Sequence, residues 1–188
     1  MTRRHQALTA ALSLLVAALA GLPLQAAAQP ARAAPAEVAA ELPGARWQGA
    51  AVMRWLGLQI YALRLWAAAP LLDDGAGQAL ALELQYSRAL SGPRIAQRAI
   101  DEMKRVAPLS DAQAARWLAA MTALFPDVRD GDRLTGVQRP GQGTRFFVNG
   151  TLRGELADAE FTRLFFGIWL SPRTSEPALR AELLGAGS

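Results

Sequence analysis

Few side chains in this sequence can do chemistry. Cys is absent and the single His is His5. No thiolate, disulfide or cysteine nucleophile can form, and beyond the first residues there is no imidazole. Ser-His-Asp and Cys-His catalysis and His-ligated zinc are therefore excluded, because each needs a group titrating near neutrality or a neutral nitrogen ligand. Arg, Tyr, Ser/Thr, the carboxylates, backbone groups and one lysine, Lys104, remain. Arg54 lies late in the apolar run Ala51-Val52-Met53-Arg54-Trp55. An arginine there either points to solvent or faces a concave site, where its guanidinium binds a carboxylate or an oxyanion. Tyr61, in Gln59-Ile60-Tyr61-Ala62, is either a core-edge tyrosine or a ligand contact. Arg54 and Tyr61 are the candidate ligand-binding residues. No residue is assigned as catalytic or metal-ligating, and no cofactor is expected.

Other polar clusters have plainer readings. Asp127 to Asp132 lacks the Asp-x-Asp-x-Asp-Gly spacing that wraps calcium, and reads as a turn entering a strand. Asn149-Gly150-Thr151 is a formal glycosylation sequon but reads as a hairpin turn. Asp73-Asp74 and Asp101-Glu102 are adjacent pairs. Neighbours on a helix diverge by about 100°, so Asp101 and Glu102 form no acid/base dyad and are expected to be solvated.

The elements that must position these residues follow from hydrophobic period. Trp47 to Trp55 and Leu58 to Trp66 read as a hairpin around Leu56-Gly57. Leu80, Leu82, Leu84 and Tyr86 alternate with Ala81, Glu83 and Gln85, the pattern of a strand with one face in the core and one in water. Tyr86 ends that strand in a capping or packing role. The period then turns helical from Ser91-Gly92-Pro93 to about Val106, and again from a Ser110-Asp111 cap towards Pro126. Strands return at 132–139, 144–148 and 151–156, with Asn149-Gly150 as a strong hairpin signal. Asp158 caps an aromatic helix through Leu170, mainly core and the expected source of any apolar pocket wall. A short helix follows from about Glu176 to Leu184. Three strands, two helices, three strands and two helices disfavour a doubly wound parallel sheet and predict an α+β fold: an antiparallel sheet with helices on one face.

The first 28 residues carry the marks of a secretory leader: Arg3-Arg4, an apolar run from Ala7 to Leu24, and Ala26-Ala27-Ala28 as the exit. Cleavage is expected after Ala28, giving a periplasmic or secreted protein. Residues 29–45, rich in Ala, Pro and Gln, read as a linker, and 46–186 as the folded domain. The whole sequence has 188 residues and a formal net charge of +4, which falls to +2 without Arg3 and Arg4. The arginines are scattered, so no nucleic-acid stripe is expected. No second apolar run is long enough to span a membrane. The oligomeric state is left open.

Gln59 to Trp66, Leu82 to Tyr86, Phe146 to Gly150, Phe165 to Thr174 and Pro177 to Gly185, in that order, resemble the bacterial chalcone isomerase-like domain. The resemblance covers about residues 40–186. It implies an open-faced β-sandwich, an antiparallel sheet wrapped by a helical layer with a ligand cleft between. Plant members of the wider family cyclise chalcones, whereas other members bind fatty acids without catalysis. Carried over by position, the plant catalytic Thr falls at Tyr61, the Tyr at Ile95, the Asn at Glu102 and a later pocket Thr or Ser near Ile168. The oxyanion-binding Arg of the first strand has Arg54 on the corresponding strand. Ile95 has no hydroxyl and Glu102 brings a negative charge, so the polar network that cyclisation needs is mostly missing. The expectation is a periplasmic, non-catalytic module that binds a fatty acid or similar small amphipathic molecule in an apolar cleft. The alternatives are an isomerase of the intramolecular-lyase type acting on a carbonyl or phenolic substrate, and a structural or interaction protein of the envelope.

Overall fold

A computed structural model describes residues 33–185; the expected leader and its cleavage site lie outside them. The elements in chain order are α1 (Ala36–Glu41), β1 (Arg46–Trp55), β2 (Leu58–Ala67), β3 (Leu80–Tyr86), α2 (Gly92–Val106), α3 (Asp111–Leu124), β4 (Arg133–Arg139), β5 (Gly143–Val148), β6 (Thr151–Leu156), α4 (Ala159–Leu170) and α5 (Pro177–Leu183). The six strands form one antiparallel sheet in the order β1-β2-β3-β4-β5-β6. It is a meander into which the α2–α3 pair is inserted between β3 and β4.

Local chemistry explains the ends of these elements. Ser110 and Gln113 make a reciprocal capping box at the start of α3. Asp158 caps α4 by accepting from Phe161 N at 2.9 Å. Its other carboxylate oxygen accepts from the indole Nε1 of Trp117, also at 2.9 Å, and so ties α4 to α3. Burial pushes the Asp158 carboxyl up, but the bonds from Phe161, Trp117 and Arg116 prevail and hold it below its ordinary value. Asn149 and Gly150 take φ of 49° and 83°, the pair of left-handed residues that a two-residue hairpin requires.

The main core lies between the sheet and helices α2 to α5. Leu63, Leu65, Leu80, Leu82 and Leu84 from the strands meet Ala96, Ile100, Met103, Trp117, Met121, Phe161 and Phe165 from the helices. Helix α5 closes on β1 because Gly49 has no side chain. A Cβ there would stand 2.1 Å from the Leu183 carbonyl oxygen.

Two expectations are corrected. The segment 29–45 contains a helix, α1, whose Val38, together with Leu42 just beyond it, packs on Trp66, Ala81, Val137 and Phe147 in a second core. The helices therefore do not all lie on one face. For the same reason the second face of β3 does not meet water: Ala81 and Glu83 are both buried. Glu83 is held there by Arg64 and by Arg133, whose Nη1 donates to Oε2 at 3.2 Å.

Candidate functional site

A cavity of about 250 Å³ lies between the sheet and the helical layer. Register brings its floor together. Met53 pairs with Tyr61, Tyr61 with Tyr86, and Leu84 with Leu134, so neighbouring strands present these side chains at similar levels on one face. A bulge opposite Met53–Arg54, where Tyr61 and Gln59 are the successive partners, leaves Ile60 over and lets Ile60 and Tyr61 both reach the cavity. The roof comes from α2 and α4. Arg94, Ile95, Arg98, Ala99 and Glu102 follow the i, i+3/i+4 spacing of one helix face, as do Phe165, Ile168 and Trp169. Ser175 and Glu176, between α4 and α5, complete one side.

The lining is mostly apolar, with two polar groupings. In the first, Tyr61 and Tyr86 stack edge to face with ring centroids 5.8 Å apart. Trp169 Nε1 donates to Tyr61 Oη at 3.2 Å, which leaves the Tyr61 proton free to be donated elsewhere. Burial pushes the Tyr61 phenol up to about 12, against the opposing pull of the Trp169 bond and the charge of Arg98. Burial raises Tyr86 further, with Tyr61 adding to it. Both rings are neutral hydrogen-bonding groups through the neutral pH range.

The second grouping surrounds Glu102, which is buried. Ser175 Oγ donates to its Oε2 at 2.7 Å. Arg98 and Arg105 lie 2.7 and 3.5 Å from its Oε1 as ion pairs. Neither is aligned as a hydrogen bond, so Oε1 accepts none. Two guanidiniums to one carboxylate leave this cluster with a net positive charge. Arg94 adds another, without an ion-pair partner among the described residues, and Glu176 offsets one. The expectation that Glu102 is solvated is thus corrected: Asp101 faces water, and the turn of the helix carries its neighbour inward.

Tyr61 lines the cavity and Arg54 does not. Met53 and Trp55 on either side of Arg54 both face the cavity, so alternation along β1 sends Arg54 to the opposite face, where it is exposed. The structure therefore separates the two residues that the sequence suggested together, and it is Arg94 and Arg98 on α2 that bring guanidinium groups to the cavity. Sequence reasoning missed both, along with the inward face of Tyr86. The spacing of Arg94, Ile95, Arg98, Ala99 and Glu102 was available as a signal, but a stripe mixing charged with apolar residues reads as the edge of an amphipathic helix. The four positions carried over from the plant enzyme, Tyr61, Ile95, Glu102 and Ile168, all line this one cavity. Among the described residues no group of three or more His, Cys, Asp or Glu side chains is placed to hold a metal ion.

The fold is shared with known proteins. A protein of Haemophilus influenzae described as uncharacterized is 31% identical over 145 residues, covering 76% of this chain and 70% of its own. The crystal structure of an Arabidopsis thaliana fatty-acid binding protein shares the fold, with a TM-score of 0.61 at 14% identity over 77% of this chain and 88% of that one. The sequence model of the chalcone isomerase-like family matches residues 38–185, from the buried valine of α1 to the glycine that follows α5. On that match, the chain belongs to the chalcone isomerase-like family.

Proposed function

We propose that this protein is a non-catalytic carrier that binds a fatty acid or similar small amphipathic molecule in the cavity between sheet and helices. The observation that carries the reading is the composition of the wall. Leu84, Leu90, Phe125, Leu134, Phe165 and Ile168 offer an apolar surface for a tail. The polar groups able to fix a head are few and grouped, the usual make-up of a small-molecule pocket. The head group lies towards Arg94 and Arg98, with the Tyr61 hydroxyl as donor, and the tail runs inward past Leu84 and Phe165. The fatty-acid binding protein that shares the fold supports this choice of ligand class. A cyclase reading is weaker. A catalyst needs donors aimed at the developing charge, whereas Ile95 and Ile168 are hydrocarbon and Glu102 is already engaged by Ser175, Arg98 and Arg105. The periplasm is the proposed compartment, on the strength of the leader-like first 28 residues.

Native mass spectrometry of protein purified from its own host, followed by denaturing extraction, tests this reading. The expected result is a co-purified amphiphile at up to one per chain, retained in Arg54→Ala and depleted in Arg94→Ala/Arg98→Ala. Protein that stays empty, and that takes up no fatty acid when one is supplied, would sink the carrier.

A further inference from the structure

The tip of the first hairpin is unexplained by the cavity. Leu56 and Gly57 join β1 to β2 with φ of 49° and 78°. The second tight hairpin uses Asn149-Gly150 in the same conformation. Asn is at ease in the left-handed region and a leucine is not, so Leu56 is strained where a better residue is easily supplied. No packing compensates, because Leu56 is 80% exposed, Trp55 61% and Leu58 50%. Three large apolar side chains at one loop tip form a patch of the kind that marks an interaction surface. The hairpin that carries it has a one-sided charge of its own. From Arg46 to Leu72 the chain has no acidic residue. Arg54 is exposed at the base of the tip, and Arg94 and Arg98 are exposed beside the cavity that Trp55 lines.

Tryptophan favours the headgroup level of a bilayer, leucine the acyl boundary beneath it, and arginine the anionic headgroups. We propose that the Trp55-Leu56-Gly57-Leu58 tip docks this protein on an anionic lipid bilayer, with the cavity mouth turned towards the membrane. A protein partner would need a pocket cut for the tip, and the flanking arginines fit lipid phosphate without one. Trp55 belongs to both the tip and the cavity wall, so docking sets the cavity beside the lipid from which an amphiphile can enter.

The test is co-sedimentation with vesicles of phosphatidylglycerol and phosphatidylethanolamine, with phosphatidylcholine vesicles as control. The wild type should bind the anionic vesicles more tightly. Trp55→Ser/Leu56→Asn should lose about tenfold or more in partition, the scale expected when two apolar side chains no longer bury. Vesicles with brominated acyl chains should quench part of the tryptophan fluorescence, and Trp55→Phe should remove that part, which localises contact to the tip whatever the rest of the chain does. Leu56→Asn alone should melt no lower than the wild type. A lower melting temperature would remove the strain argument. Failure of the wild type to bind, equal binding by the double variant, or undiminished quenching in Trp55→Phe would overturn the proposal. The vesicles contain no free fatty acid, so that failure would leave the carrier reading standing.

Discussion

Tyr61 and Tyr86 are the only two tyrosines of the chain, and both line the cavity, so their ionisation reports on the site alone. The ordinary phenol value is 10.0, and burial moves Tyr61 to about 12 and Tyr86 beyond it. The folded state therefore holds protons that the unfolded state releases above pH 10. By linkage, this contribution to stability is complete below pH 10 and is lost as pH rises through the folded value. Absorbance titration should show no appreciable tyrosinate in the folded chain at pH 10, where the denatured chain is half ionised. Ordinary titration of either tyrosine at that pH would mean an open, wet cavity. At this scale too, the proposed function gives Arg94 and Arg98 the part expected of Arg54. Arg54→Ala should leave affinity for a carboxylate ligand unchanged. Arg94→Ala/Arg98→Ala should weaken it by roughly tenfold, the worth of a charge-assisted hydrogen bond.

The strands, the four helices after β3 and the caps of α3 and α4 were legible in the sequence, because each element has a period or a terminal residue of its own. Asp158 shows how much one such residue holds. Asp158→Ala removes the cap of α4 and strands the buried Trp117 N–H, and should cost about 2–4 kcal/mol in chemical denaturation. Asp158→Asn keeps one acceptor oxygen for the three donors and should fall between. A loss under about 1 kcal/mol for Asp158→Ala would show that Trp117 finds another partner. The helix α1 was not legible. Its six residues, Ala-Glu-Val-Ala-Ala-Glu, contain one large apolar side chain and no side-chain cap, and only the tertiary surface of Trp66, Val137 and Phe147 makes it a helix. The placement of Arg54 belongs to this scale as well. A strand's period tells which residues share a face, but which face meets the cavity depends on where the helices pack.

Across the whole molecule, the sheet is covered on both sides to different ends. The α1 side is closed by a small aromatic and aliphatic core with ion pairs between buried glutamates and the half-buried Arg133. The α2–α5 side contains the main core, and part of it is left open as the cavity. The sequence could show that enough apolar side chains exist to fill the space between the layers. Whether they do fill it depends on packing that no local pattern records. At about 250 Å³ the cavity falls just below the roughly 300–1,000 Å³ of small-molecule sites, which limits the proposed ligand to a short or medium chain.

Calorimetric titration of delipidated protein with dodecanoate tests the carrier most directly, with Ala99→Phe as the blocked control, since Ala99 lines the cavity and a larger side chain there would fill it. One site per chain and a negative heat-capacity change from apolar burial are expected. Ala99→Phe, still folded by circular dichroism, should abolish the binding. No heat across a range of temperatures, or binding that survives Ala99→Phe unchanged, would contradict it.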